Sequence, residues 1–148
     1  MKNKIISWLL VILWMALIFN LSNKLAIESN KMSKGITQTI VETLEKVAPN
    51  SDIDIEIFNN ILRKNAHFFA YLVLGVLVVN GLRNSGIIGY RAFGLAILIC
   101  VLYAISDEIH QLFVPGRGGQ IKDVIIDSAG AVFGIGVYMV LKSIRKKG

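Results

Sequence analysis

The chain has a single cysteine, Cys100, so no disulfide can form within it and no cysteine-based metal site can be built. Charged residues are also scarce, at 18% of the 148 residues, where a soluble domain carries about a quarter. There is no internal repeat and no low-complexity segment. What the chain has instead is apolar residues, 54% of the total with a mean hydropathy of +0.60, and these favour an integral membrane protein.

The net charge of +6 and the isoelectric point of about 9.6 are also compatible with a nucleic-acid-binding protein. In a membrane protein, however, basic residues usually lie at helix ends, facing anionic lipid and the cytoplasm. The apolar composition favours that second explanation, so we expect no nucleic-acid partner.

The apolar residues fall into four blocks, which predict an all-α fold: a polytopic membrane four-helix bundle in a single domain over residues 1–148. A helix rising ~1.5 Å per residue needs about 20 residues to cross the hydrocarbon core. The third block is long enough only if it includes Asp107, Glu108 and His110, and the fourth only if Asp123 or Asp127 enters it. The predicted spans are 5–21, 64–82, 91–110 and 123–142.

The first block follows Lys2 and Lys4, a pattern that also begins a secretory signal peptide. The block is long, however, and contains Trp8 and Trp14, and no small-x-small cleavage site follows it. We therefore predict an uncleaved membrane anchor, which serves as scaffold for the other spans.

The segment between the first two spans contains apolar residues at helical spacing: Ile36, Ile40, Leu44 and Val47. This periodicity predicts an amphipathic helix in the first extracytoplasmic loop, lying on the bilayer or on the bundle. A packed connecting helix with no role of its own is the preferred interpretation.

Four spans place both termini on the same side of the membrane. The 16 Lys and Arg residues are divided evenly between the two sides, whereas all ten carboxylates lie opposite the termini. On the terminal side the cations are concentrated in short segments, Lys2 and Lys4 at the start and 145–147 at the end, and such segments usually stay inside. We predict cytoplasmic termini and an outward-facing polar cluster.

Three segments bring ionisable side chains to this predicted outer face. Residues four apart share one stripe of a helix, so each segment presents its polar residues together. A charged residue within a span costs roughly 2.5–3.5 kcal/mol and is usually paired and functional. Each residue alone could be structural, but together they predict a ligand or catalytic site. They are Arg63, Lys64, His67 and Tyr71 in span two, Asp107, Glu108, His110 and Gln111 in span three, and Asp123 and Asp127 in span four.

The turn before span four reads Pro115-Gly116-Arg117-Gly118-Gly119. Pro-Gly favours a tight turn, and the glycines allow the backbone to approach a ligand closely. The planar guanidinium of Arg117 offers a fork of donors suited to a phosphate. Glycine-rich turns are usually turns and nothing more, so this signal is weak on its own.

At these residues the sequence resembles the VanZ-like family, named for a protein associated with teicoplanin resistance. The similarity lies in Arg-Lys-x-x-His-Phe-x-x-Tyr from Arg63, Ser-Asp-Glu-x-His-Gln-x-Phe-x-Pro-Gly-Arg from Ser106, and Asp-x-x-x-Asp-x-x-Gly from Asp123. These motifs cover nearly all of residues 63 to 134. The resemblance implies a multi-pass protein of the bacterial cell membrane. It also implies kinship with four-helix membrane enzymes that act on phosphorylated lipid head groups.

The leading hypothesis is therefore a head-group phosphoesterase or transferase, acting on a phospholipid or a lipid-linked cell-wall precursor. His67 or His110 would serve as general base or nucleophile. The carboxylates would orient a histidine or hold a divalent cation, for which oxygen-rich sets favour Mg²⁺ or Ca²⁺. The catalytic candidates are His67, His110, Asp107, Glu108 and Asp127, and the candidate substrate contacts are Arg63, Lys64, Tyr71, Gln111, Arg117 and Asp123.

Two hypotheses from other classes stay open at this stage. One is a non-enzymatic protein that binds a lipid or glycopeptide and blocks access at the membrane surface. The other is a small transporter or an accessory subunit. The fold does not distinguish them, because sites rather than folds carry function. The sequence does not predict the oligomeric state.

Overall fold

The computed structural model of the chain describes residues 2–23, 35, 55–115 and 118–147, which contain helices and turns and no strand. The four long helices are α1 (Lys2–Ser22), α2 (Ile55–Asn84), α3 (Gly89–Gln111) and α4 (Ile121–Lys147). Each is long and apolar enough to cross a membrane, over Asn3–Ser22, Lys64–Asn84, Gly89–Gln111 and Ile121–Ile144. The prediction of an all-α membrane bundle with four spans is confirmed.

The ends of these four segments lie within two residues of the spans predicted from hydropathy. The third segment includes Asp107 and Glu108, and the fourth includes Asp123 and Asp127, in agreement with the length argument. The amphipathic helix predicted around Ile36 to Val47 lies outside the described residues. The assignment of residues 1–148 to one domain stays a prediction.

Helix α1 is apolar on all sides, as expected of a helix surrounded by lipid and other helices. Its inner face buries Val11 and Ile18, while Leu9, Ile12 and Leu13 are more than half exposed. In water such a surface would be unfavourable at roughly 25 cal/mol per Å² of apolar area. Lipid acyl chains remove that penalty, so the outward apolar surface itself indicates a membrane environment.

Helix α2 packs against all three other helices and approaches α4 most closely. Three glycines make this approach possible, because a Cβ at each would collide with a backbone carbonyl of the opposite helix. The pairs are Gly75 with Ala131, Gly130 with Phe68, and Gly134 with Leu72. The small residues of α4 therefore fix the register of α4 against α2.

Replacing Gly134 with alanine is expected to destabilise the bundle by about 1–3 kcal/mol, because the added methyl must push the two helices apart. Gly136, two residues further along α4, is the matched control because it has open space around its Cβ position. Gly136→Ala should be neutral, or more stable by up to about 1 kcal/mol through helix propensity. Thermal unfolding in detergent measures both variants, and equal melting temperatures for the two would contradict this packing.

Side-chain hydrogen bonds attach α1 to its neighbours along its length. The Trp14 indole donates to the Ala70 carbonyl of α2 at 2.9 Å. The Tyr103 hydroxyl of α3 donates to the Met15 carbonyl of α1 at 2.6 Å. Such bonds contribute about 1 kcal/mol between helices in a membrane. They hold the C-terminal half of α1 against α2 and α3.

A separate polar network lies at the other end of the bundle, near the chain termini. The Asn84 side chain donates to the buried Ser7 hydroxyl at 2.7 Å, which joins α2 to α1. The Tyr138 hydroxyl of α4 donates to Asn80 at 2.9 Å. These groups are paired with one another, so the network is readily explained as a structural connection between three helices.

Candidate functional site

Helix α3 presents one continuous buried face, which begins apolar and ends polar. Ala92, Ala96, Cys100 and Ala104 follow one another at intervals of four residues and are completely buried. The same face continues into Asp107, which is only 2% exposed. The helical repeat that packs the alanines against the bundle therefore carries a carboxylate into its interior.

Asp107 meets two ionisable side chains from other helices, His67 of α2 and Asp127 of α4. One donor atom of each of the three residues lies within 4.8 Å of the corresponding atoms of the other two. Asp127 is 1% exposed and the His67 side chain 26%, so the cluster is buried on the carboxylate side and open on the histidine side. His67 Nδ1 and Asp127 Oδ1 are 3.7 Å apart.

The close contact between α2 and α4 explains why these two residues meet. Phe68, next to His67, has its backbone against Gly130, which lies three residues after Asp127. The glycine contact therefore brings the two side chains into the same layer of the bundle.

Helix α1 also contributes to the cluster, contrary to the expectation that span one is only scaffold. The buried Ser22 hydroxyl donates to Asp107 Oδ2 at 2.7 Å, and the Gln111 side chain lies 3.5 Å from the same oxygen. All four helices therefore supply side chains around Asp107. Sequence reasoning missed Ser22, because one serine at the end of an apolar block has no periodic signal.

Tyr71 lies one turn after His67 on α2, and it is completely buried. Its hydroxyl has no hydrogen-bond partner among the described residues. One oxygen of each carboxylate, Oδ1, likewise lacks a hydrogen-bond partner within the described part of the chain. Three buried polar groups in one place thus retain unused hydrogen-bonding capacity.

Lys64 and Asp123 lie at the more exposed edge of the cluster, one turn before His67 and Asp127 on their respective helices. Lys64 Nζ is 3.9 Å from Asp123 Oδ1, and the two side chains are 41% and 28% exposed. An ion pair of this length and exposure contributes about 0–1 kcal/mol. The lysine is therefore weakly held and available to a ligand.

His110 occupies a different environment from His67. Its ring stacks on Phe19 of α1 with the centroids 4.4 Å apart, and its Nε2 is 3.2 Å from Asn23 Oδ1. Among the described residues, His110 is not part of the group whose donor atoms lie within 4.8 Å of one another. The two histidines predicted at one depth thus have different surroundings: His67 faces the carboxylates and His110 faces the end of α1.

Glu108 is directed to the connection between α3 and α4. Its carboxylate accepts a hydrogen bond from the backbone N–H of Gln120, and the side chain is 6% exposed. Gly119 is tightly placed beside Leu112 and the Glu108 carbonyl, which leaves no room for a side chain. This contact gives Glu108 a structural task at the start of α4. The two arginines predicted as substrate contacts cannot be placed, because the Arg63 side chain and all of Arg117 lie outside the described residues.

Four spanning-length helices around a buried His–Asp–Asp cluster define a multi-pass membrane protein with an internal polar site. The sequence matches the model of the VanZ/LLP1 family over residues 7–142, and the chain belongs to this family. This confirms the resemblance and extends it to α1, which lay beyond the motifs that carried it. Comparison with curated proteins and with solved structures gives no match.

Proposed function

We propose that the protein acts on phosphorylated lipid head groups as a phosphoesterase or head-group transferase. The observation that carries this proposal is the cluster of His67, Asp107 and Asp127. Each lies three to six residues inside the end of its candidate span, about 5–9 Å at ~1.5 Å per residue. The phosphates of a bilayer lie just outside the hydrocarbon core, so a head group could reach this depth with a small movement.

The free-energy cost of placing the two carboxylates inside the membrane supports a functional role for them. Each ionisable residue inside a span costs roughly 2.5–3.5 kcal/mol on insertion scales, and such residues usually mark sites of function. Asp107 and Asp127 are almost fully buried. If these carboxylates served only a structural ion pair, a cation would be expected close to both. His67 lies near both, but it is charged only when protonated.

His67 is the general base in this proposal. Asp127 Oδ1 faces Nδ1 at 3.7 Å, and a small approach on substrate binding would form the hydrogen bond that holds the imidazole in one orientation and tautomer. The other ring nitrogen takes a proton from water or from an acceptor hydroxyl, and the resulting oxygen attacks the phosphorus. The bond from phosphorus to the departing alcohol breaks, and His67 returns the proton to that alcohol. Lys64 contacts a phosphate oxygen, and Arg63 and Arg117 take the same role because a guanidinium offers a planar fork of donors.

The orientation is also part of the proposal. Carboxylates on one side and short basic terminal segments on the other favour cytoplasmic termini and a site that faces outward. An outward site has access to outer-leaflet phospholipids and to lipid-linked cell-wall precursors of a bacterial cell. A change in either would be a route to resistance against glycopeptides such as teicoplanin, which the family resemblance suggests.

Incubation of the purified protein in lipid nanodiscs with head-group-labelled phospholipids and labelled lipid-linked precursors tests the proposal. We expect release or exchange of the labelled head group, lowered about 10²–10⁴-fold by His67→Ala because general base catalysis is lost. His110→Ala is expected to lower turnover less, because His110 lies outside the carboxylate cluster.

The same assay separates the other function classes. Saturable lipid or glycopeptide binding without turnover would indicate a non-enzymatic binding protein that blocks access at the membrane surface. No binding and no turnover of any labelled lipid would favour a transporter or an accessory subunit. Turnover that is unchanged in His67→Ala would overturn the role given to this histidine.

A further inference from the structure

The donor atoms of His67, Asp107 and Asp127 lie close enough together to surround one metal ion after small side-chain movements. At 3.7 Å, His67 Nδ1 and Asp127 Oδ1 are too far apart for a hydrogen bond. Two ligands bound ~2.0–2.2 Å from one ion are about 3.0–3.5 Å apart, so a small side-chain rotation brings these atoms to that spacing. The third donor, from Asp107, completes a set that lies within 4.8 Å.

The charges of the cluster also favour a cation. Asp107 and Asp127 are 2% and 1% exposed, so both carboxylates are withdrawn from water. Buried charges are stable when they are paired or coordinate a metal, and otherwise they are very unfavourable. A divalent ion between the two carboxylates would neutralise both at once.

Tyr71 provides an independent indication. Its hydroxyl is completely buried, lies one turn after His67 on α2, and has no hydrogen-bond partner among the described residues. A buried polar group without a partner calls for an explanation, and an ordered water or ion is a common one. A water bound to a metal ion would accept or donate the missing hydrogen bond.

Asp107 is already held as metal-binding carboxylates usually are. Ser22 donates to Oδ2 at 2.7 Å, while Oδ1 is left without a hydrogen bond in the described part of the chain. Hydrogen bonds to the far oxygen of a ligating carboxylate fix its orientation and are typical of metal sites. The free oxygen is therefore the one available for an ion.

We propose that His67, Asp107 and Asp127 bind one divalent transition-metal ion of the Zn²⁺ or Mn²⁺ type. The imidazole nitrogen favours these ions over Mg²⁺ or Ca²⁺, which the carboxylates alone would suggest. Three protein ligands with an open position are typical of catalytic rather than structural sites. The histidine side is the exposed side of the cluster, so a phosphate oxygen would reach an ion held there from that side. The inference rests on the proposed function for the site and changes one role within it. A His67 ring bound to an ion through Nδ1 would be a ligand and not the general base, and water held at the open position would supply the attacking oxygen.

The test uses the full chain, purified in detergent, treated with a chelator and then titrated with ZnCl₂ or MnCl₂ without added lipid. We expect one ion bound per chain. Changes to outer hydrogen bonds of metal sites lower affinity 10–100-fold, so loss of a ligand in Asp127→Asn or Asp107→Asn should exceed about 100-fold. Asp123→Asn, a change of the same kind one turn earlier on α4, should bind within about tenfold of the original chain.

Thermal unfolding shows whether each variant is folded. Without metal, Asp127→Asn should melt at or above the temperature of the original chain, because one of two neighbouring buried charges is gone. Saturating metal should raise the melting temperature of the original chain but not that of Asp127→Asn. Absence of saturable binding, or binding in Asp127→Asn equal to that in Asp123→Asn, would overturn the metal site.

Failure of this inference can be told apart from failure of the proposed function. One bound ion without release of any lipid head group would support the metal site and contradict the proposed enzymatic activity. Head-group release by a protein that binds no ion would support the enzymatic activity and contradict the metal site.

Discussion

Asp127→Asn is expected to lower head-group turnover by about 10³–10⁴-fold while the bundle stays folded. The amide has the same shape as the carboxylate, so the packing around this 1% exposed side chain is preserved. What is lost is the negative charge that faces His67 Nδ1 at 3.7 Å, orients the ring and stabilises the positive charge that the ring gains when it accepts a proton. The loss should appear in kcat more than in KM, because the phosphate contacts are unchanged.

Initial rates of head-group release in nanodiscs measure this effect. Tyr138→Phe is the control for destabilisation in general. It removes a hydrogen bond to Asn80, which lies 13 residues beyond His67 on α2, about 20 Å along the helix. That variant should lose about 1 kcal/mol of stability and keep its turnover. An Asp127→Asn rate within tenfold of the original chain would show that the carboxylate does not act through His67.

Most of the fold could be predicted from the sequence, because a lipid environment leaves few solutions. An apolar block can cross a membrane only as a helix or as part of a closed barrel, and its length is set by the bilayer. That reasoning also required Asp107 and Asp127 to lie within the spans, which they do. Helical spacing then identified the polar face of each span.

Which of these faces meet could not be predicted, because spacing along one helix contains no information about its neighbours. His67 and His110 are equally plausible in sequence, yet only His67 lies beside Asp127. The close contact of α2 with α4, set by Gly130 and Gly134, decides this. The hydrogen bond from Ser22 could not be predicted for a related reason, since its partner Asp107 lies 85 residues away in the sequence.

Two neighbouring tyrosines, Tyr71 and Tyr103, should respond to loss of their hydroxyls in opposite ways. Their rings are 6.0 Å apart, so both belong to one part of the core. The Tyr103 hydroxyl donates to the Met15 carbonyl at 2.6 Å, whereas the Tyr71 hydroxyl has no hydrogen-bond partner among the described residues. A buried polar group without a partner costs about 1–3 kcal/mol, and a bound ligand, ion or water can supply the missing hydrogen bond.

Tyr71→Phe is therefore expected to raise the melting temperature and to lower head-group turnover about 10–100-fold. That loss corresponds to one hydrogen bond from the hydroxyl to a charged head group, about 1.5–3 kcal/mol. Tyr103→Phe should lower stability by about 0.5–1.5 kcal/mol and leave turnover in place, since the lost bond joins α3 to α1. Thermal unfolding and head-group release on the same two preparations give both readings. If the two variants shift stability in the same direction, the Tyr71 hydroxyl has a partner in the folded protein and is not reserved for a ligand.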